Sequence, residues 1–131
     1  MLQKLNTKIV PFSRIQVSPS RLRRKNVAEL GPGGLGLILA KEFDCKVSAF
    51  DKVDEFFKPI YTFHNVPTYY IDLNTSAKLP NGKYEVILFC EVFEHLQRWP
   101  LETLTELYES LEPGGLLLIS TQNLLRLSNR L

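Results

Sequence analysis

The sequence predicts an α/β fold, a doubly wound and mostly parallel sheet with helices on both faces. Three observations predict it. From Asn26 onward, short apolar runs alternate with segments of helical spacing. Gly31, Gly33 and Gly36 stand at GxGxxG spacing between the first run and the first helical segment. YEVILFC, residues 84–90, is apolar almost throughout, as a central parallel strand covered on both faces should be. At 131 residues, 44% hydrophobic and 23% charged, the chain fits one compact domain with no room for a second.

Pro11, Ser13, Ser18, Pro19 and Ser20 make residues 1–25 poor in regular structure, so they read as a basic arm ahead of a domain over residues 26–131. The first strand is 26–30. Residues 34–43 form a helix, with Leu35, Ile38, Leu39 and Phe43 at helical spacing, and 46–50 a second strand. A turn and one helical segment fill 51–61, and 68–71 is a third strand. After the fourth strand at 84–90, a helix over 100–111 starts with proline in its first turn and carries the stripe Leu101, Leu104, Leu107, Tyr108 and Leu111. Pro113, Gly114 and Gly115 end it, and 116–121 is the fifth strand.

With right-handed crossovers, such a sheet gathers its ligand at the carboxyl ends of the strands. After Glu29, Gly31 and Gly33 allow a tight turn and close approach, Gly36 allows the helix to pack closely, and the amides at the helix start are expected to be free for a ligand. Asp51, 20 residues beyond Gly31, ends the second strand where it can accept hydrogen bonds from both hydroxyls of a ribose. Asp72 follows the third strand and can accept from an exocyclic amine such as that of adenine, with the Leu73 backbone facing the ring. Cys90 and Glu91 form the lip of the fourth strand, followed by Glu94, His95 and Trp99. Up to the third strand, a dinucleotide with its pyrophosphate and a lone nucleoside fit equally well.

The net charge of +2 conceals an asymmetry: residues 1–26 hold seven bases and no acid, and the remainder nine bases against fourteen acids. The RLRRK cluster could dock on an acidic partner, such as RNA or a phosphorylated lipid surface, or simply remain solvated. No apolar run approaches the ~20 residues of a bilayer span, and the first residues do not read as a secretory signal, so a cytoplasmic protein with no membrane partner is expected. Cys45 and Cys90 lie in or beside strands and are expected as free thiols. An open sheet edge beyond the fifth strand invites pairing with a second copy or another chain.

The segments ELGPGGLG, AFD, IDL, YEVILFCEVFEHL and LEPGGLLLISTQN, in that order over about residues 26–123, resemble the class I S-adenosylmethionine-dependent methyltransferases of the type 11/23 group. The resemblance implies a Rossmann-like three-layer sheet of strand order 3-2-1-4-5, S-adenosylmethionine as cofactor, and a methyl acceptor the residues do not identify. It further implies that Glu29, Gly31 and Gly33 border the methionine part, that Asp51 holds the ribose, and that Asp72 and Leu73 flank the adenine. The Cys90 carbonyl and Glu91 would close the site near the amino group and sulfonium, and His95 is the candidate general base. Glu91, Glu94 and His95 also match an ExxEH spacing that certain relatives use for a divalent metal, but many share EHL without one and no metal ligands are assigned. Relatives often have a third glycine where this chain has Leu35, and they continue past TQN through a further helix and an antiparallel strand pair. Two other classes stay open: an NAD-linked oxidoreductase, which leaves Asp72 and EVFEHL unexplained, and a methyltransferase-like binding or scaffold module without turnover.

Overall fold

Alternation of side chains along each strand decides how the sheet is covered. In the computed structural model, which describes residues 18–52, 56–80 and 82–121, five strands form one parallel sheet. They are β1 (Asn26–Leu30), β2 (Lys46–Asp51), β3 (Thr68–Tyr70), β4 (Tyr84–Cys90) and β5 (Leu111–Ser120), in the order β3-β2-β1-β4-β5. Most of the basic arm, including Lys4, Lys8 and Arg14, and the chain beyond Thr121 lie outside the described residues. The helices are α1 (Pro19–Leu22), α2 (Leu35–Glu42), α3 (Phe57–Phe63) and α4 (Pro100–Glu109). Leu39 of α2 and Tyr61 of α3 pack with Val27, Val47, Val86 and Leu88 on one face. Leu107 of α4 packs with Leu30, Phe50, Ile87 and Phe89 on the other. Alternate residues of one strand thus serve opposite cores, which gives the three layers and strand order expected. No helix among the described residues is long and apolar enough to cross a membrane.

Core burial dominates the energetics. Phe50 and Phe89 are fully buried, and each such side chain contributes about 1.5–3 kcal/mol. The half-exposed Lys25–Glu85 ion pair, at 2.9 Å, contributes at most about 1 kcal/mol. Its role is positional: Glu85 also accepts from the Asn26 amide at 2.9 Å and so aligns the start of β1 with β4. Cys45 is buried, Cys90 is half-buried, and both are free thiols.

The two longer helices bury part of the predicted apolar stripes, Leu39 on one and Leu107 on the other, but are rotated so that other stripe members face solvent. On α2, Gly36 and Leu39 are buried while Leu35 and Ile38 are exposed, because the helix approaches β1 through the missing side chain of Gly36. On α4, Thr103 and Leu107 are buried, whereas Leu101 is 62% and Tyr108 45% exposed. Polar anchors set that rotation. Glu106 Oε2 accepts from the Ala77 amide at 2.6 Å and from Arg98 at 2.7 Å, and the Ser110 hydroxyl accepts from the Leu79 amide at 3.3 Å. These bonds tie α4 to the β3–β4 connection more specifically than leucines can. The fifth strand also starts earlier than expected: Leu111 already pairs with Tyr84, after which the register slips through Pro113, Gly114 and Gly115 before Leu116 pairs with Val86. Gly114, at φ 78°, accommodates the slip.

The Arg98 guanidinium beside Glu106 holds its carboxyl below the ordinary value of 4.5. A lowered folded-state value means that the stabilisation is present above 4.5 and is lost as the pH falls through the folded value. Glu106→Gln is therefore expected to cost about 1–2 kcal/mol at neutral pH and progressively less in acid, as read by urea unfolding across that range.

Candidate functional site

Parallel pairing in register brings the strand tips level. Asp51 is paired with Tyr70, Cys90 with Ser120, and Leu30 with both Phe50 and Phe89, so Gly31 sits one step beyond, between Asp51 and Cys90. The Gly31 amide donates to the Phe50 carbonyl at 2.9 Å, which closes the first turn directly onto β2. Gly31 has φ 69°, and a Cβ there would run into the Val92 side chain that follows β4. Glycine is required by backbone conformation and by the neighbouring strand's exit together.

Beneath this turn lies Glu29, 3% exposed. Its Oε1 accepts from the amides of Gly36 at 3.1 Å and Gly33 at 3.4 Å, and its Oε2 accepts from the Tyr61 hydroxyl at 2.5 Å. The same hydroxyl accepts from the Gly34 amide at 3.0 Å. This corrects in part the expectation that the amides at the helix start are free: those of Gly33, Gly34 and Gly36 are taken by the protein itself. A buried carboxylate without partners would cost several kcal/mol, so these donors are what permits its position, and the α2 dipole favours the negative charge. Gly36 must be glycine because a Cβ would strike the Glu29 carboxylate. Tyr61 carries no motif and stands in the second half of a short helix; nothing in its local sequence announces this role.

Along the rim, Lys52 links the two aspartates. Its amide donates to Asp51 Oδ1 at 2.7 Å, and its Nζ forms an ion pair with Asp72 Oδ2 at 2.8 Å. The Lys52 hydrogen bond, helped by the Asn74 amide, lowers the Asp72 pKa, and Asp72 raises that of Lys52. Asp72 is thus held as an anion. Leu73 buries its side chain in the core beside Ile71 and thereby fixes the turn that carries Asp72. The Asn74 side chain reaches the far side of the rim, accepting from the Gln97 amide at 2.7 Å.

At the tip of β4 the chain turns sharply. Glu91 adopts φ 56°, a left-handed conformation that a non-glycine residue rarely takes. Its amide donates to the Ser120 carbonyl at 2.9 Å, and Ser120 Oγ donates to Glu91 Oε1 at 2.7 Å. A 3-10 turn, Phe93–His95, follows and presents His95 to solvent. Thr121 Oγ1 donates to Glu94 Oε2 at 3.3 Å, while the buried Glu94 Oε1 has no partner among the described residues. Burial pushes the Cys90 thiol up, which keeps it protonated rather than nucleophilic. No group of three or more His, Cys, Asp or Glu side chains among the described residues is arranged to hold a metal, and Glu91 and Glu94 are engaged by separate hydroxyls.

The structure therefore brings Gly31, Gly33, Asp51, Asp72, Cys90 and Glu91 to one end of the sheet and puts Glu29 under the loop rather than on its outer surface. It adds Tyr61, Lys52, Asn74, Ser120 and Thr121, each of which has a partner in a distant segment that local spacing does not show.

Among solved structures, coclaurine N-methyltransferase bound to N-methylheliamine and SAH is 27% identical, with a TM-score of 0.63 over 82% of this chain and 32% of its own. A Pyrococcus horikoshii protein is 20% identical, with a TM-score of 0.67 over 82% of this chain and 54% of its own. A SAM-dependent methyltransferase from Thiobacillus denitrificans, in complex with S-adenosyl-L-homocysteine, is 21% identical, with a TM-score of 0.56 over 77% of this chain and 44% of its own. The latter two likenesses speak for the fold alone. The chain spans about a third to a half of the length of these proteins. No curated protein of similar sequence is found. A family profile described as a methyltransferase domain matches residues 6–131, nearly the whole sequence, and the chain belongs to that methyltransferase-domain family.

Proposed function

We propose that the chain binds S-adenosylmethionine at the β1–β4 tips and acts as the cofactor-binding part of a methyltransferase whose acceptor is held partly by other segments. One observation supports this reading above the rest: beneath the loop that would hold a pyrophosphate, the Glu29 carboxylate already takes the Gly33 and Gly36 amides. A phosphate brought there would find the Gly33, Gly34 and Gly36 amides taken. It would also meet a like charge, a repulsion of about 4 kcal/mol at contact distance and an effective dielectric of about 20. The same loop leaves a phosphate-free nucleoside unopposed. This argues against an NAD-linked oxidoreductase, and the family match favours the methyltransferase over the other classes.

The residues fit that cofactor in kind. Gly31 and Gly33 let the backbone approach the methionine moiety, and Asp51 accepts from the ribose hydroxyls. The anionic Asp72 accepts from the adenine amine beside the Leu73 backbone. The Cys90 carbonyl and the exposed Glu91 face the cationic end, where a negative lip is favourable. When bound, S-adenosylmethionine supplies a methyl group already activated by its sulfonium. The chain's contribution is alignment and exclusion of water, with His95 able to take a proton from an acceptor that must lose one. The raised Cys90 pKa suits direct transfer to the acceptor, with no enzyme thiol in between. Cytoplasmic location, and an acidic partner for the basic arm, belong to the same proposal.

Calorimetry is expected to show binding of S-adenosylhomocysteine and none of NAD. Asp51→Ala should weaken S-adenosylhomocysteine binding by about 1–3 kcal/mol; unchanged affinity would remove Asp51 from the site. His95→Ala should leave that affinity within about twofold, since an exposed ring that serves the acceptor contributes little to cofactor binding. A larger loss would put the imidazole on the cofactor instead.

A further inference from the structure

We propose that Tyr61 is the positioning residue of the glycine loop: it clamps Glu29 against the start of α2 and so makes the loop selective for nucleosides without phosphate. The inference rests on the cofactor reading above. Tyr61 is fully buried, comes from α3 rather than from the strand or helix that flank the loop, and joins both halves of the turn through one oxygen. Its hydroxyl donates to Glu29 Oε2 at 2.5 Å and accepts from the Gly34 amide at 3.0 Å. Gly34 lies at φ 96°, in the left-handed region, at the residue that caps α2. With no side-chain cap on that helix, the Tyr61 hydroxyl and the Glu29 carboxylate take the place of one.

Removing the hydroxyl would leave a buried carboxylate oxygen one donor short and the Gly34 amide unpaired. Glu29 could then swing, uncover the helix start, and alter the outer face of the loop. α3 begins six residues after Asp51, so the clamp draws on the helix that follows β2 in the chain. One side chain thereby ties the loop of β1 to α3.

The test uses Tyr61→Phe in the full chain, with circular dichroism to verify folding, amide hydrogen exchange at Gly34 and Gly36, and calorimetry with S-adenosylhomocysteine and with ADP as the phosphate-bearing probe. The expected result is a folded protein in which both amides exchange faster and S-adenosylhomocysteine affinity drops about tenfold, the loss of one hydrogen bond to a charged group. The preference over ADP should narrow in parallel, which a contact with a merely structural role would not change. A folded variant with wild-type exchange, or with faster exchange but unchanged affinity and preference, overturns the proposal. Should Tyr61→Phe not fold, Glu29→Gln, which keeps shape and removes the charge, is read out in the same way: a preference over ADP that does not narrow overturns the proposal. If the unaltered chain does not bind S-adenosylhomocysteine at all, the cofactor reading fails. Exchange at Gly34 then still shows whether Tyr61 positions the loop, and gain of ADP binding by Glu29→Gln still shows whether the clamp rejects phosphate.

Discussion

A carboxylate buried under a glycine turn is the constraint on which the functional end of this protein depends. Glu29 stands on the face of β1 that meets α2 and α3, where an unpaired charge would be costly. Its position is tolerable only because one loop amide, one amide of the first turn of α2 and a tyrosine hydroxyl converge on it. The loop conformation, the close seating of α2 through Gly36, and the placement of α3 all follow from satisfying that one charge. The same bonds, with the Tyr61 hydroxyl, spend the Gly33, Gly34 and Gly36 amides internally, so that a ligand at the turn does not meet those donors.

Charge is handled differently on the two sides of the rim. At β2 and β3, Lys52 engages Asp51 and Asp72 and keeps Asp72 ionised while leaving it at the surface. At β4 and β5, hydroxyls of Ser120 and Thr121 orient Glu91 and Glu94 without neutralising them. The rim at β4 and β5 therefore carries two carboxylates with no ion-pair partner among the described residues. Glu91 is held there in a left-handed conformation by two bonds to Ser120, so β5 decides the shape of the β4 tip.

The rest of the molecule serves as a frame for that end. Two apolar cores hold the sheet, and a polar knot of Arg98, Glu106, Ser110 and Ala77 sets the angle of α4 and the course of the β3–β4 connection. Because Asp72 and Leu73 stand near the start of that connection, the knot transmits order from the back of α4 to the Asp72 side of the candidate site.

By itself the sequence determined the strands, their parallel order by resemblance, and the acids and glycines at their tips. Those features follow from local periodicity and from spacing along one chain segment, and β1 and β4 emerged with the predicted bounds. What only the tertiary structure decided is where each polar group finds its partner. Leu101 and Tyr108 fit a helical stripe yet face solvent, because Glu106 and Ser110 bind backbone amides brought from residues 77 and 79. The loop amides looked free because their partners, Glu29 turned inward and Tyr61 from α3, are set by how a sheet face and two helices close together. Hydrogen bonds between distant segments depend on three-dimensional convergence, and a linear pattern carries no record of it.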